Sequence, residues 1–167
     1  VAVLDSADDA GPPLVEPAAK LDREFCRDDE CVALARMIYG EARGEPWIGK
    51  VAVGWTARNR LLSERWPADY RGIVYQARQF SCFDPGVHRV AVERFPEADL
   101  ELDREAVGSC FRAASLVMLG RVPDPTDGAH HYLARMLYES GIGPAWAYAP
   151  GVERVTIGGH IFLRGVR

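Results

Sequence analysis

Residues 34–45 read LARMIYGEARGE, and the spacing inside this stretch governs how the rest of the chain is read. Leu34, Ala35, Ile38 and Glu41 recur at helical spacing, which predicts a helix whose core-facing stripe ends on a carboxylate. Asp28 or Asp29 can cap its start, Gly44 is placed to cap its end after Arg43, and Pro46 opens a second helix at its first position. An inward-facing carboxylate in a last helical turn is disfavoured as an anion twice, by desolvation and by the negative end of the helix dipole. Both effects favour the protonated form, which a general acid requires near neutral pH. The bland alternative leaves Glu41 at a frayed helix end, pointing into water. Glu45 lies beyond the cap and beside Pro46, and it reads as structural: its carboxylate meets the N-terminus of the next helix, where an anion is favoured.

Outward from this stretch, the second helix runs from Pro46 to about Leu62, with Ile48, Val51, Ala52 and Trp55 as its apolar stripe. Asn59 continues that stripe, so a buried amide bonding across the helix pair is expected, with a solvated Asn as the alternative. A short helix is predicted over Tyr70–Gln76, then a long loop over 78–103, which holds Pro85, Gly86 and Pro96. Loops of that length in compact domains are often functional. Arg104–Gly120 forms the third long helix, with Ala106, Cys110, Ala113, Ala114 and Val117 inward and Gly120 at its end. DPTDG at 124–128 signals a turn, HHYLARML follows, and VERVTIGGHIFLR at 152–164 predicts a strand or hairpin. Residues 1 to about 20 are rich in Ala, Asp and Pro without periodicity, so 1–25 reads as a tail or linker and 26–167 as one catalytic domain. The fold class is mainly α (α+β), with a small β element.

Composition narrows the function classes. The 167 residues carry 20 Lys+Arg against 24 Asp+Glu, a net charge of −4 that suggests no nucleic-acid partner. No apolar run approaches the ~18 residues that cross a bilayer. The sequence starts at Val1 without a methionine, so a processed form is expected, and a removed export segment is compatible with it. Cys26, Cys31, Cys82 and Cys110 fit two bridges in three connectivities. Locality favours Cys26 with Cys31, which leaves Cys82 with Cys110; the alternative is four buried thiols in a reducing compartment. Zinc is disfavoured because no Cys-x-x-Cys pair is present.

Four ordered blocks carry a resemblance: LARMIYGEARGEPWIGKVAVGWTARNRL at 34–61, IVYQARQFSCF at 73–83, DPTDGAHHY at 124–132 and TIGGHIFLR at 156–164. Together they resemble the SleB-type cell-wall hydrolases, the family of spore-cortex-lytic enzymes and related phage and bacterial lysins. The resemblance implies peptidoglycan cleavage on a lysozyme-like helical domain, with Glu41 as catalytic acid. Gln79, Phe80 and Ser81 match the family's Gln-Phe-Ser block, where a Gln–aromatic pair would bind an N-acetyl group and stack on sugar; for Phe80 the alternative is core packing. Tyr132 would bring a hydroxyl near the scissile bond, or be a buried, satisfied tyrosine. Among Trp47, Trp55, Trp66 and Trp146, the last is the favoured sugar platform because it lies in a Gly- and Pro-rich segment. Asn59 recurs in the family's pattern. His160 matches its Gly-x-His-x-Phe block and is expected to be a structural hydrogen-bonder near the cleft. Leu163 stands where an aromatic residue is usual, and Phe83 where Trp is common.

Glycan cleavage commonly needs two carboxylates. A lytic transglycosylase needs one, because the sugar's own 6-hydroxyl is the nucleophile, and the spore-lytic members resembled here are associated with that route. If water attacked instead, Asp84 or Asp127 would be the helper, although both sit in ordinary turn contexts. A rival class, a zinc amidase, would draw ligands from His88, His130, His131 and His160. No His-Glu-x-x-His is present, and adjacent histidines on a helix diverge by about 100°. A third class, a non-catalytic wall-binding module, is opposed by the retention of Glu41. The expectation is an enzyme with no cofactor and no metal. Its partner would be peptidoglycan, as a monomer outside the cytoplasm: in the periplasm, in the cell wall, or carried by a virion if it is a phage lysin.

Overall fold

The computed structural model describes residues 28–84 and 104–166. The expected tail, with Cys26, and the segment holding His88 lie outside the described residues.

Helix α1 (Asp29–Ala42) starts where an aspartate can hold its first amides: the Asp28 carboxylate accepts from the N–H of Glu30 at 2.6 Å and of Cys31 at 3.0 Å. Its stripe of Leu34, Ala35 and Ile38 is fully buried, and Met37 and Tyr39 are buried as well, so α1 is a central helix. It ends differently from expectation. Arg43 is the C-cap, Gly44 does not adopt the left-handed conformation, and a turn from the Glu45 N–H to the Ala42 carbonyl (3.0 Å) leads the chain out. Helix α2 (Trp47–Leu61) has Pro46 as its N-cap, one position earlier than expected. Val51, Ala52, Val53 and Ala57 are buried, whereas Ile48 and Trp55 are half-buried. Gly54 lets α1 and α2 approach closely, since a Cβ there would stand 3.1 Å from Ile38 Cδ1 and 3.2 Å from Val117 Cγ2.

Helix α3 (Tyr70–Val74) is capped by Asp69 and ends two residues short of its predicted end, with Tyr75 as C-cap. Residues Ser81–Phe83 form a 3-10 turn. Helix α4 (Arg104–Met118) buries Val107, Cys110, Ala113, Ala114 and Val117 against α1 and α2, and Gly120, at φ +64°, closes it with an Arg121 N–H to Leu116 carbonyl bond of 2.9 Å. Each large apolar side chain enclosed among these helices, such as Leu34, Ile38, Val51, Ile73 or Val117, stabilises the fold by roughly 1.5–3 kcal/mol.

The sheet is antiparallel, ordered β1-β3-β2, from β1 (His131–Ala134), β2 (Glu153–Ile157) and β3 (His160–Arg164). The hairpin expected at 152–164 turns through Gly158 and Gly159. Ala134 ends β1 and α5 (Arg135–Glu139) begins at once, so His131 belongs to a strand and the helical geometry assumed for the His130–His131 pair does not apply. Strand alternation sets two faces. Tyr132, Phe162 and Val155 are paired across the sheet and pack with the helices, while Leu133, Ile161 and Leu163 form a second small cluster with Ala147, Tyr138 and Val152.

Cys31 is disulfide-bonded. The expected Cys82–Cys110 bridge does not form: both are buried thiols. Cys82 is held in the 3-10 turn against Glu41, and Cys110 faces inward from α4, so pairing them by elimination ignored the elements that fix each one. Among the described residues no helix is long and apolar enough to cross a membrane.

Candidate active site

The last turn of α1 presents Glu41 to two distant segments. Ser81 Oγ donates to Oε1 at 3.2 Å, the Cys82 N–H donates to Oε1 at 2.7 Å, and the Tyr132 hydroxyl donates to Oε2 at 3.0 Å. The Cys82 amide lies in the first turn of a 3-10 helix, where no intrahelical acceptor exists, and is therefore available to the carboxylate. Glu41 is half-buried, so it is neither sunk in the core nor loose in water. Burial, with Glu41 beside it, pushes the Cys82 thiol far up and raises the Tyr132 phenol well above its ordinary value. Both stay protonated donors at any working pH. Tyr132 is enclosed by His160 (ring centroids 5.2 Å), Phe162 (5.5 Å) and Phe80 (6.3 Å).

Glu45 makes no capping hydrogen bond to α2, but its carboxylate lies against the first turn of that helix, where a Cβ on Gly49 would come 3.2 Å from Oε2. Its Oε2 accepts the Gly159 N–H at 2.9 Å, tying the end of α1 to the β2–β3 turn. The two glycines are there for space: a Cβ on Gly158 would come 2.0 Å from Glu45 Oε2, and one on Gly159 2.7 Å from Oε1. His160 Nδ1 lies 3.9 Å from Glu45 Oε1, too far for a hydrogen bond, and is buried without a hydrogen-bond partner among the described residues. Burial lowers the His160 pKa from 6.5 against the pull of Glu45 and Glu41, so the expected hydrogen-bonder acts at this nitrogen as a packed, neutral ring on Tyr132. An open depression of about 650 Å³ adjoins the same turn, lined by Arg135, Met136, Glu139, Ser140, Gly158 and Gly159.

Asn59 is buried, but it does not bond across the helix pair. It donates to Asp124 Oδ2 (2.9 Å) and to the Ala129 carbonyl (3.1 Å). Asp124 also accepts from the N–H groups of Thr126 (2.8 Å) and Gly128 (2.9 Å), which fixes the turn that launches β1 and Tyr132. Phe80 is 2% exposed and packs in the core, so it offers no face to a sugar. Gln79 gives its side-chain oxygen to Arg60 Nη1 at 3.2 Å. Ser81 is exposed and touches Glu41. Trp146, 37% exposed, packs on His131 at 5.0 Å, and His131 points to the sheet face opposite Tyr132. No described contact joins Trp146 to Glu41. Trp47, Trp55 and Trp66 are half-buried against the core.

Of the candidate helper acids, Asp127 is exposed and paired with Arg164, whereas Asp84 ends the 3-10 turn close enough to act on the Cys82 thiol. Among the described residues no group of three or more His, Cys, Asp or Glu is arranged to hold a metal. His131 has its pKa pulled down to about 4, by burial first and Arg60 next, and His130 is lowered by burial as well. Sequence reasoning missed Asp124 and Arg60. The available signal was the DPTDG and Asn-Arg positions of blocks already read for other residues.

The cell wall hydrolase family matches residues 44–163, a span that begins just after Glu41. A spore cortex-lytic enzyme of Halalkalibacterium halodurans is 31% identical over 136 residues, 81% of this chain and 34% of that protein. One from Bacillus subtilis is 40% identical over 69 residues, 41% of this chain and 22% of that protein. The chain thus spans about a third of the length of the first of these relatives and less of the second. Among solved structures, the catalytic domain of the germination-specific lytic transglycosylase SleB from Bacillus anthracis superposes with a TM-score of 0.58 at 26% identity, covering 81% of this chain and 93% of that one. The Bacillus cereus SleB catalytic domain gives 0.55 at 26%, covering 82% and 91%. With a helical core, a small sheet and a carboxylate gathered between them, and with the family's match running through most of the chain, this protein belongs to the cell wall hydrolase family, of SleB type.

Proposed function

We propose that the chain cleaves the glycan strand of peptidoglycan between N-acetylmuramic acid and N-acetylglucosamine, with Glu41 as its acid and base, in the manner of a lytic transglycosylase. The observation that carries this reading is the Glu41 carboxylate held by Ser81, the Cys82 amide and Tyr132. Oε1 already accepts two donors, one an amide that can only donate, so the catalytic proton belongs on Oε2. There the Tyr132 hydroxyl can turn from donating to accepting. Glu41 protonates the glycosidic oxygen as the bond to the muramic anomeric carbon breaks. The resulting carboxylate then takes the proton of the muramic 6-hydroxyl as that oxygen closes onto the anomeric carbon. No water is consumed. The attack is intramolecular, so effective concentration stands in for a second protein carboxylate.

Such an enzyme works outside the cytoplasm, and the disulfide at Cys31 suits an oxidising compartment. Mass spectrometry of digests of purified cell walls tests the route. Muropeptides should carry 1,6-anhydro ends, one water lighter than hydrolysis products. Digests dominated by reducing muramic ends would refute it and direct attention to Asp84, which acts on the Cys82 thiol, and to Glu45, which acts with Glu41 on His160.

A further inference from the structure

We infer that Arg60 is the positioning residue of this centre: its guanidinium joins the two segments that carry every described hydrogen-bond donor to Glu41. Arg60 sits in the last turn of α2, 3% exposed. Its Nε donates to the His130 carbonyl at 2.8 Å, two residues before Tyr132. Its Nη1 donates to Gln79 Oε1 at 3.2 Å, two residues before Ser81. The guanidinium carbon lies 4.3 Å from the Trp66 ring centroid and 4.9 Å from that of Phe80, so aromatic faces hold the plane in register. No described carboxylate forms an ion pair with it. A buried arginine with no counter-ion among the described residues is an expensive way to stiffen a core, and an apolar side chain would serve there at less cost. Burial lowers its pKa to about 10, which leaves it charged at neutral pH. What the arginine supplies, and an apolar residue or a lysine would not, is two N–H vectors in one rigid plane. Those vectors fix the separation between the 79–82 segment, which serves Oε1, and the 130–132 segment, which serves Oε2. Asn59, the preceding residue, anchors the same launch of β1 through Ala129.

This rests on the reading of Glu41 as the catalytic acid, and the test separates the two. Arg60→Lys, Ser81→Ala, their double variant and Glu41→Gln are assayed on soluble glycan fragments, with folding followed by circular dichroism and thermal melting. Arg60→Lys keeps the charge but loses the planar bridge. Its kcat should fall by about 10- to 10²-fold, the scale of a small misplacement of reacting groups, with KM within about twofold. The double variant should lose much less than the product of the single losses, because both changes act on one carboxylate. If Arg60→Lys does not fold, Gln79→Leu, which removes the Nη1 acceptor, takes its place in the same cycle with the same expectation. A folded variant with wild-type kcat, a rise in KM alone, or multiplicative losses would each overturn the positioning role. Activity retained by Glu41→Gln would remove the acid assignment itself. An inert Glu41→Gln beside a fully active Arg60→Lys would remove only the role of Arg60.

Discussion

Replacing Glu41 by Gln takes away a group that can carry either a proton or a charge while leaving the shape of the side chain, and its consequences can be worked out from the cage. The amide oxygen can still accept from the Cys82 N–H, now at 2.7 Å, and from Ser81 at 3.2 Å. The new amino group would face the Tyr132 oxygen, now 3.0 Å from Oε2, and that hydroxyl accepts as readily as it donates. Relative to the carboxylate form, in which Tyr132 donates to Oε2, each bond changes from charge-assisted to neutral, a loss of about 1 kcal/mol apiece, while a half-buried anion no longer has to be desolvated. These oppose, so stability should shift by no more than about 2 kcal/mol, or about 4–8 °C in Tm for a domain of this size. The rate should fall much further. Loss of general acid catalysis is worth about 10²- to 10⁴-fold, or roughly 2.7–5.4 kcal/mol on the barrier. Clearing of a purified cell-wall suspension, followed by muropeptide mass spectrometry, measures it. Glu45→Gln in the same assay should lose much less, because its amide oxygen can keep the Gly159 N–H. A folded Glu41→Gln with more than a tenth of the wild-type rate, or equal losses at both positions, would refute the reasoning.

Gly158→Ala should destabilise the protein and slow lysis, since its Cβ would meet Glu45 Oε2 at 2.0 Å on a left-handed backbone; Glu45→Ala in the same chain should recover part of the stability, and purely additive effects would count against the contact. His131 takes a proton at about 4 when folded and near 6.5 when unfolded, so its contribution is complete above about pH 6.5 and is lost as pH falls towards 4. Tm measured across that window should slope less in His131→Phe than in the wild type, and equal slopes would exclude the histidine as the cause. In denatured, unreduced protein an alkylating reagent should modify Cys82 and Cys110 but not Cys31. In native protein Cys82 should react slowly, being buried with its thiol pushed up; rapid native labelling there would contradict the packing around Glu41.

The main helices, the α4 glycine cap, the β-hairpin and the placement of Glu41 in the last turn of α1 were all legible in the chain itself. Each depends on 3.6- or 2-residue periodicity and on caps within a few residues, so the signal is local. The partners of those side chains were not legible. Ser81 lies 40 residues from Glu41 and Tyr132 lies 91, and their meeting depends on how α1 packs against the 3-10 turn and the edge strand β1. The same holds for Asn59, whose amide goes to a turn 65 to 70 residues on, and for Glu45, whose acceptor role is set by a hairpin 114 residues away. Trp146 shows the limit most clearly: a Gly- and Pro-rich setting marked it as accessible, but strand alternation at His131 and Tyr132 decided which face of the sheet it occupies. Sequence determined which residue types were available and on which elements they ride. Tertiary structure alone decided which of them share a carboxylate, because that depends on the packing of elements whose mutual distances no local periodicity encodes.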